Sequence, residues 1–438
     1  MKIGIIGLGY VGLTLAIAAA DNGIEVYGVE INPEIKACLK RNRAHFYEPG
    51  LDALIERNNH NTFHCVDTFP ADISFDLFIV TVGTPLYADE KKPNFTYVMS
   101  ALQSIKGVYT GRELVILRST VSVGTTRGIV LPYLAELCGL PQEEIPVSMC
   151  PERTVEGKAI EELANLPQII SGNSNTALEM AQQFFRRITP FVIPVSSLEE
   201  AELVKLYCNT YRDMTFAIGN AFCMAAQSFG VDGVSVIRHA NQGYDRANIA
   251  LPGFVAGPCL EKDAYILTHC MPDCCEKNLI MACRKLNESL EDIVVQWIQR
   301  RIGAPLSEKV VVVSGMAFKG QPETSDLRGS ASVYIAQKLK RLGYRLYLHD
   351  FAAYKKELEA LDLGDVFSDL YAACKDASAL LVLNNHKKYM EIAEYAEFCN
   401  RKLAILDVWG ACRNLYLRSS GGIATLGNLM MEQGGTLH

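Results

Sequence analysis

The sequence predicts an α/β protein of two parallel-sheet domains joined by a long central helix and a helical middle domain. Three observations carry this expectation. Short apolar runs alternate with helical patterns through the first 190 residues, as a parallel sheet with crossover helices requires. From Ser197 onward no residue breaks a helix until Gly230 except a tolerable Gly219; about 30 residues at 1.5 Å each make a rod of about 45 Å. A second series of apolar strands begins at Lys309. The length of 438 residues also exceeds one ordinary core.

In chain order, the first domain spans residues 1–195, with strands expected at 2–6, 25–29, 77–82, 114–117 and 146–149. Residues 3–20 are apolar enough to imitate a signal peptide, but Gly4, Gly7, Gly9 and Gly12 and the strand that follows fit a buried strand, a tight turn and a helix. No other stretch is long and apolar enough to span a bilayer. The middle domain spans residues 196–302. Ser197-Leu-Glu-Glu200 reads as a capping box, and Gly230 as a C-terminal cap. Residues 303–307 read as a linker, and the last domain, 303–438, carries strands at 309–315, 344–348, 379–383 and 403–406. No sequence repeat is evident.

Composition narrows the partners. A net charge of −7 gives no long-range attraction to nucleic acid or to an anionic membrane, so an anionic ligand must be held by local cations and helix ends. The fourteen cysteines are scattered through apolar stretches of a large chain. They read as reduced thiols in a cytoplasmic protein.

Gly7-Leu-Gly-Tyr-Val-Gly12 follows a strand and opens a helix. Such a unit gives a tight turn, close backbone approach to a pyrophosphate, and amides to bind it. Glu30 ends the next strand, 18 residues after Gly12, where a carboxylate accepts ribose hydroxyls and repels a 2′-phosphate. A Rossmann-like domain for NAD rather than NADP is the expectation; a glycine-rich turn with no ligand is the alternative.

Cys259 lies in Gly253-Phe-Val-Ala-Gly-Pro-Cys-Leu-Glu-Lys-Asp263, with Lys262 placed to favour a thiolate that attacks a carbonyl. Lys205 and Asn209 share one helix face, beside apolar Leu203, Val204, Leu206 and Tyr207. They suit proton transfer or oxyanion stabilisation, or else Lys205 is a solvated charge paired with Glu199 or Glu202. Ser119-Thr120 and Pro151-Glu152-Arg153 follow apolar strands and should reach the carboxyl edge of the sheet. There Glu152 can orient a water that the Thr120 hydroxyl holds; the plainer alternatives are a helix N-cap at Thr120 and a surface pair of Glu152 with Arg153. His269, Cys270, Cys274, Cys275 and Cys283 lack the paired C-x-x-C spacing of structural zinc sites, so no metal is expected.

Taken together, these segments are similar to the nucleotide-sugar 6-dehydrogenases, the UDP-glucose and UDP-N-acetylhexosamine dehydrogenases. The resemblance runs through Gly7 to Gly12, Gly83-Thr84-Pro85, Ser119-Thr120 with Gly124-Thr125-Thr126, Pro151-Glu152, Lys205 to Asn209, the Cys259 segment, Gly315-Met-Ala-Phe318-Lys319 and Asp326-Leu-Arg328. It implies an N-terminal NAD domain, a long-helix dimerisation spine and a C-terminal domain that helps to bind a UDP-sugar. Cys259 would be the nucleophile of a four-electron oxidation at C6, through a thiohemiacetal and a thioester to the uronic acid. Lys205 and Asn209 would stabilise the oxyanion, Glu152 and Thr120 would serve the hydrolytic water, and Asp263 would assist proton transfer.

The resemblance also implies a cofactor set of Gly7, Gly9, Tyr10, Val11, Gly12, Glu30, Gly83, Thr84, Thr120 and Arg328. Substrate contacts would come from Glu152, Arg153, Lys205, Asn209, Gly257, Cys259, Phe318 and Lys319, with Arg328 as a further substrate-side cation. Arg246 would reach the site of the partner subunit in a homodimer. Ala256 stands where many members have glycine, residues 319–326 are slightly longer than in plain UDP-glucose enzymes, and residues 151–157 look more like the acetamido-sugar branch. Two other readings compete: a β-hydroxyacid-type dehydrogenase with one hydride transfer, and an NAD-binding sensor with none.

Overall fold

The computed structural model describes residues 1–304, 309–394, 403–412 and 423–429. The linker expected at 303–307 falls largely outside these residues, as does Cys399. The chain forms two compact units, residues 1–209 with 265–272, and residues 210–264 with 273–438.

The first unit is built on a six-stranded parallel sheet. Its strands are β1 (Lys2–Ile6), β2 (Glu25–Val29), β3 (Phe63–Val66), β4 (Leu77–Val80), β5 (Leu114–Leu117) and β6 (Val147–Met149), and their spatial order is β3-β2-β1-β4-β5-β6. Every residue of β4 and β5 is buried, as expected for strands covered on both faces. Leu13, Ile17, Phe184 and Phe185 fill one face, and Phe69, Phe78, Leu102 and Leu134 the other. The strand order reverses between β1 and β4, which is where such sheets open a crevice for ligands. Sequence reading misses β3, whose four residues include only one that is fully buried. A separate parallel pair joins β7 (Gln168–Ile170) to β8 (Val192–Pro194).

The long helix covers Leu198–Ser228, close to its expected limits. The Ser197 hydroxyl accepts from the Glu200 amide at 3.0 Å, and the Glu200 carboxylate reaches back one residue further, to the Ser196 amide at 2.8 Å. At the other end Gly230 turns with φ +71° and donates to the Gln227 carbonyl at 3.0 Å. The sequence reads Phe216, Ala217, Phe222 and Met224 as apolar residues on the face of this helix away from Lys205, too much for solvent and so a dimer surface, and that shared face is not found. Ala217 is buried, Phe216 packs edge-on to Trp409, Met224 packs on the core, and of the four only Phe222 is exposed. With 3.6 residues per turn these positions do not share a face. The exposed apolar stripe is instead Tyr211, Ile218, Phe222 and Phe229.

The second unit contains a five-stranded parallel sheet of β9 (Val310–Ser314), β10 (Arg345–His349), β11 (Asp365–Phe367), β12 (Ala379–Val382) and β13 (Ala404–Asp407), in the order β11-β10-β9-β12-β13. No repeat is visible in the sequence, yet the backbone of the first turn recurs. Gly7 and Gly315 follow the first strand of each sheet with φ +89° and +87°. Their amides donate to Val29 O at 2.9 Å and His349 O at 3.0 Å. Just beyond, Leu8 N donates to Glu30 at 2.7 Å and Ala317 N to Asp350 at 2.9 Å. Two helices complete the region of interest, Leu260–His269 and Cys275–Ile302. Among the described residues no helix is long and apolar enough to cross a membrane.

Candidate active site

At the reversal point, the turn from β1 into the helix Tyr10–Asp21 is built for close approach. A Cβ on Gly12 would stand 1.9 Å from the Gly7 carbonyl oxygen, so only glycine lets the helix begin so near the strand. A Cβ on Gly9 would meet nothing within 4 Å. No side chain caps the first turn of this helix, and no acidic residue lies in it. Its amides, including that of Val11, are therefore left to an anionic ligand. Glu30 is buried and fixed: Oε2 accepts from Leu8 N at 2.7 Å and Oε1 from Asn32 N at 2.8 Å. Each oxygen keeps a second lone pair for a hydroxyl. These residues fit the adenosine and pyrophosphate of NAD.

The Tyr10 side chain has another task. Its phenol donates to buried Glu48, and the Gly157 amide donates to the phenol oxygen at 3.0 Å and to Glu48 Oε2 at 2.8 Å. The glycine turn is thus tied to the segment after Glu152. Burial and the Glu48 carboxylate hold the phenol well above its ordinary range.

Thr84 and Thr120 are joined directly, the Thr84 hydroxyl donating to the Thr120 carbonyl at 2.5 Å, while Ser119 Oγ donates to Val82 O at 2.6 Å. Exposed Gly83 lies between Val82 and Thr84. Thr120 does not cap a helix, because the next helical element is Thr126–Val130, with Thr125 at its cap. Nor does Glu152 pair with Arg153 at the surface. It is buried against Arg118, whose Nε and Nη2 donate to Oε2 at 3.1 and 2.5 Å. Its Oε1 accepts the amides of Arg153 and Thr154, each at 2.7 Å. The Arg153 side chain turns away to the Pro167 carbonyl. Burial alone would raise the Glu152 carboxyl, but Arg118, the Thr154 amide and the Lys205 charge outweigh it and hold the group below the usual range.

Lys205 and Asn209 are also buried, so Lys205 is not a solvated surface charge. The two carboxylates that would have paired with it are engaged elsewhere. Glu199 accepts from Arg127 Nε at 2.6 Å, and Glu202 accepts from Gly124 N at 2.6 Å, Thr126 N at 2.8 Å and Thr126 Oγ1 at 2.6 Å. These four bonds clamp the segment after Thr120 to the helix that carries Lys205. Burial raises the Glu202 carboxyl in spite of its three donors.

In the second unit, Cys259 is exposed and immediately precedes the helix Leu260–His269; its carbonyl accepts from Lys262 N at 3.1 Å and Asp263 N at 3.0 Å. The positive end of a helix favours an anion at this place. Asp263 is buried, and its Oδ1 lies 3.4 Å from Lys262 Nζ. Gly257 turns with φ +97° and donates to Gly329 O at 2.7 Å; a Cβ there would come within 2.6 Å of the Phe318 ring. Gly257, Phe318 and the segment beside Arg328 are thus brought together, with Lys319 Nζ 5.3 Å from the Phe318 ring centre. Ala256 packs on the core of this unit. Arg328 folds onto Asp326, at 2.6 Å from Nη2, and Arg246 is exposed over the Tyr244 ring.

Arg118 and Glu48 escape the sequence reading, and Glu202 enters it only as an ion-pair partner for Lys205. Arg118 left one trace there, as a lone charge closing the apolar run Leu114-Val-Ile-Leu117. None of the thirteen described cysteines is in a disulfide, and the described residues contain no cluster of three metal-binding side chains.

Comparison with known proteins gives one answer along the whole chain. Residues 1–189, 199–289 and 312–414 match the NAD binding, central and UDP binding domains of the UDP-glucose/GDP-mannose dehydrogenase family. The UDP-N-acetyl-D-mannosamine dehydrogenase of Campylobacter jejuni is 30% identical over 412 residues, 91% of this chain and 99% of that protein. The enzyme of the same name from Pyrococcus horikoshii is 31% identical over 401 residues, 90% of this chain and 91% of that one. A solved structure of UDP-D-ManNAc dehydrogenase from Pyrococcus horikoshii superposes with a TM-score of 0.85 at 26% identity, covering 98% of this chain and 100% of that one. A UDP-glucose dehydrogenase structure from Pyrobaculum islandicum gives 0.79 at 26% identity, over 94% and 95% of the two chains. With the dinucleotide turn and both sheets in place, the chain belongs to the UDP-glucose/GDP-mannose dehydrogenase family, the NAD-dependent nucleotide-sugar dehydrogenases.

Proposed function

We propose that this enzyme oxidises the C6 hydroxyl of a UDP-N-acetylhexosamine, UDP-N-acetyl-D-mannosamine before others, to the uronic acid in two successive oxidations at one site. The observation that carries the reading is exposed Cys259 at the start of a helix, in a chain that also holds an uncapped dinucleotide turn. The choice of sugar is supported by relatives named UDP-N-acetyl-D-mannosamine dehydrogenase that match nearly end to end.

Bound NAD supplies the hydride acceptor. Its pyrophosphate is held by the amides around Gly7, Gly9, Tyr10, Val11 and Gly12, its ribose by Glu30, and its further contacts come from Gly83, Thr84, Thr120 and Arg328. Lys205, charged beside Glu152, and Asn209 steady the oxyanion that develops as the alcohol proton passes to water. The Cys259 thiolate adds to the aldehyde, so the carbonyl never leaves the site, and the second oxidation yields a thioester. Water adds to the thioester carbon, the C–S bond breaks, and the thiolate and carboxylic acid are released. Thr120 holds that water and Glu152 fixes its orientation; a carboxylate already bonded by four donors is a weak base, so orientation is its part. Asp263 moves protons to and from the thiol. Arg153, Phe318, Lys319, Gly257 and Arg328 receive the nucleotide-sugar.

We assign residues 1–195, 196–302 and 303–438 to cofactor binding, dimerisation and UDP-sugar binding. The stripe of Tyr211, Ile218, Phe222 and Phe229, exposed by 72, 47, 52 and 81%, supports a homodimer through the long helix. Arg246 reaches the site of the partner subunit. The reduced cysteines support a cytoplasmic enzyme.

Incubation with NAD and a panel of UDP-sugars tests the reading through stoichiometry. Two NADH per sugar, and loss of uronic acid in Cys259→Ser with NAD binding retained, are expected. One NADH per substrate with full turnover by Cys259→Ser would instead describe a single-hydride dehydrogenase, and none a sensor.

A further inference from the structure

Four buried polar side chains bracket the loop that carries Cys259, all within the second unit. Asp213 and Asn220 lie on the helix Leu198–Ser228, Arg284 and Asn287 on the helix Cys275–Ile302, and none is more than 3% exposed. Arg284 Nη1 donates to Asp213 Oδ1 at 2.7 Å and to the carbonyl of Leu260, the residue after the thiol, at 3.1 Å. Its Nη2 reaches the Val255 carbonyl at 3.5 Å. Asn287 Nδ2 donates to Asp213 Oδ1 and to the Asp213 carbonyl, both at 2.8 Å, and its Oδ1 accepts from Asn220 Nδ2 at 2.9 Å. Asn220 then closes the chain on Gly253, accepting its amide at 2.9 Å and donating to its carbonyl at 3.1 Å.

Residues 253–260 are therefore gripped at their start, their middle and their end. Two parallel demands explain the choice of groups. A buried loop without ladder partners must find donors and acceptors for its backbone elsewhere, and a guanidinium fork serves several carbonyls from one rigid plane. Asp213 acts through Arg284, which it neutralises and aims, and Asn287 aims Asp213. A fork held in this way fixes the carbonyls on both sides of Cys259.

We propose that Asp213, Arg284, Asn287 and Asn220 are positioning residues that set the backbone of residues 253–260 and thereby aim the Cys259 thiol. A nucleophile displaced by about 1 Å loses about a hundredfold in rate, so loosening the loop should act on turnover well before it acts on cofactor binding. The inference rests on Cys259 being the nucleophile.

The test uses the full-length enzyme with Asp213→Asn, Arg284→Lys and, as a milder change that releases only Gly253 and Asn287, Asn220→Ser. Carbamidomethylation of Cys259 by iodoacetamide is followed against pH by peptide mass spectrometry, with the exposed thiols Cys208 and Cys275 as internal controls. We expect the Cys259 profile to change in rate or midpoint while the controls do not, kcat to fall by about tenfold or more, and the KM for NAD to stay within about twofold. An unchanged Cys259 profile in folded variants overturns the proposal, whether kcat is preserved or lost, because a merely structural network would leave thiol reactivity alone. Should the Asp213 and Arg284 variants not fold, Asn220→Ser decides by the same criterion. Alkylation needs no turnover, so full activity of Cys259→Ser would remove the nucleophile reading while the alkylation profiles still judged the network.

Discussion

Arg118 and Glu152 form a buried ion pair at the carboxyl edge of the first sheet, both guanidinium donors converging on Oε2 at 3.1 and 2.5 Å. Arg118 also holds the Cys150 carbonyl and Gln168 Oε1, each at 3.1 Å, and lies 5.2 Å from the Phe185 ring centre. Removing one partner leaves the other charged and without a counterion in a region closed to water. Arg118→Met should therefore cost about 3–5 kcal/mol in denaturant unfolding, whereas Arg118→Met with Glu152→Leu should recover much of that loss. A double variant as unstable as the single one would show that the pair itself is not the source.

The same carboxylate sets a pH dependence. The folded pKa of Glu152 lies below its ordinary value, with burial opposing and Arg118, the Thr154 amide and Lys205 prevailing. Its stabilising contribution is full above the unfolded value of about 4.3 and is lost as pH falls through the folded value. Glu202, which burial raises, works in the opposite sense: its contribution is full below the unfolded value and is lost as pH rises toward the folded one. Unfolding of wild type and Glu152→Gln, compared from pH 3 to 7, should give a gap that is constant near neutrality and narrows below about pH 4. A gap that widens in acid would contradict the assignment.

Backbone demands were readable in the sequence, and side-chain partnerships were not. Gly7 and Gly12 announce themselves because a turn with φ +89° and a 1.9 Å approach admit no other residue. The long helix is equally plain, since its capping box and Gly230 are local signals. Lys205 looks like a solvated charge only until Glu199 and Glu202 are seen bonded to residues 124–127, more than seventy positions away. The outward face of the helix was misjudged for a related reason. Phe216 and Met224 are hidden by Trp409 and the C-terminal core, which no local pattern reports. β3 was missed because its side chains are mostly half-buried and form no apolar run.

Two glycines separate ligand binding from folding. Gly12→Ala places a methyl 1.9 Å from Gly7 O and 2.5 Å from Thr81 Oγ1, so the turn itself must shift, and soluble yield and unfolding midpoint should both fall. At Gly9 no atom lies within 4 Å of the added carbon. Gly9→Ala should fold with near-normal stability and weaken NAD about tenfold or more, because the methyl blocks the approach of the pyrophosphate to the backbone. Calorimetric titration with NAD measures this directly. Unchanged affinity in Gly9→Ala would mean that the turn does not hold the pyrophosphate.

Tyr211, Ile218 and Phe222 recur at intervals of seven and four residues on the helix Leu198–Ser228, which places them within about 40° of one another at 3.6 residues per turn, and Phe229 follows one residue past the helix end. All four are exposed in the single chain. A continuous apolar stripe on a long helix calls for a partner surface, and a two-fold axis lets the stripe cover itself. Ile218→Arg with Phe222→Arg should halve the mass seen by analytical ultracentrifugation, because each charge would then be buried against its own copy. Catalysis gives a second test. Cys259→Ala and Arg246→Ala should each be inactive alone, and should regain activity when mixed and allowed to exchange subunits, since some mixed dimers contain one intact site. If exchange is confirmed and activity stays at the level of the separate variants, Arg246 serves its own subunit; a monomeric mass for the unaltered chain would remove the dimer itself.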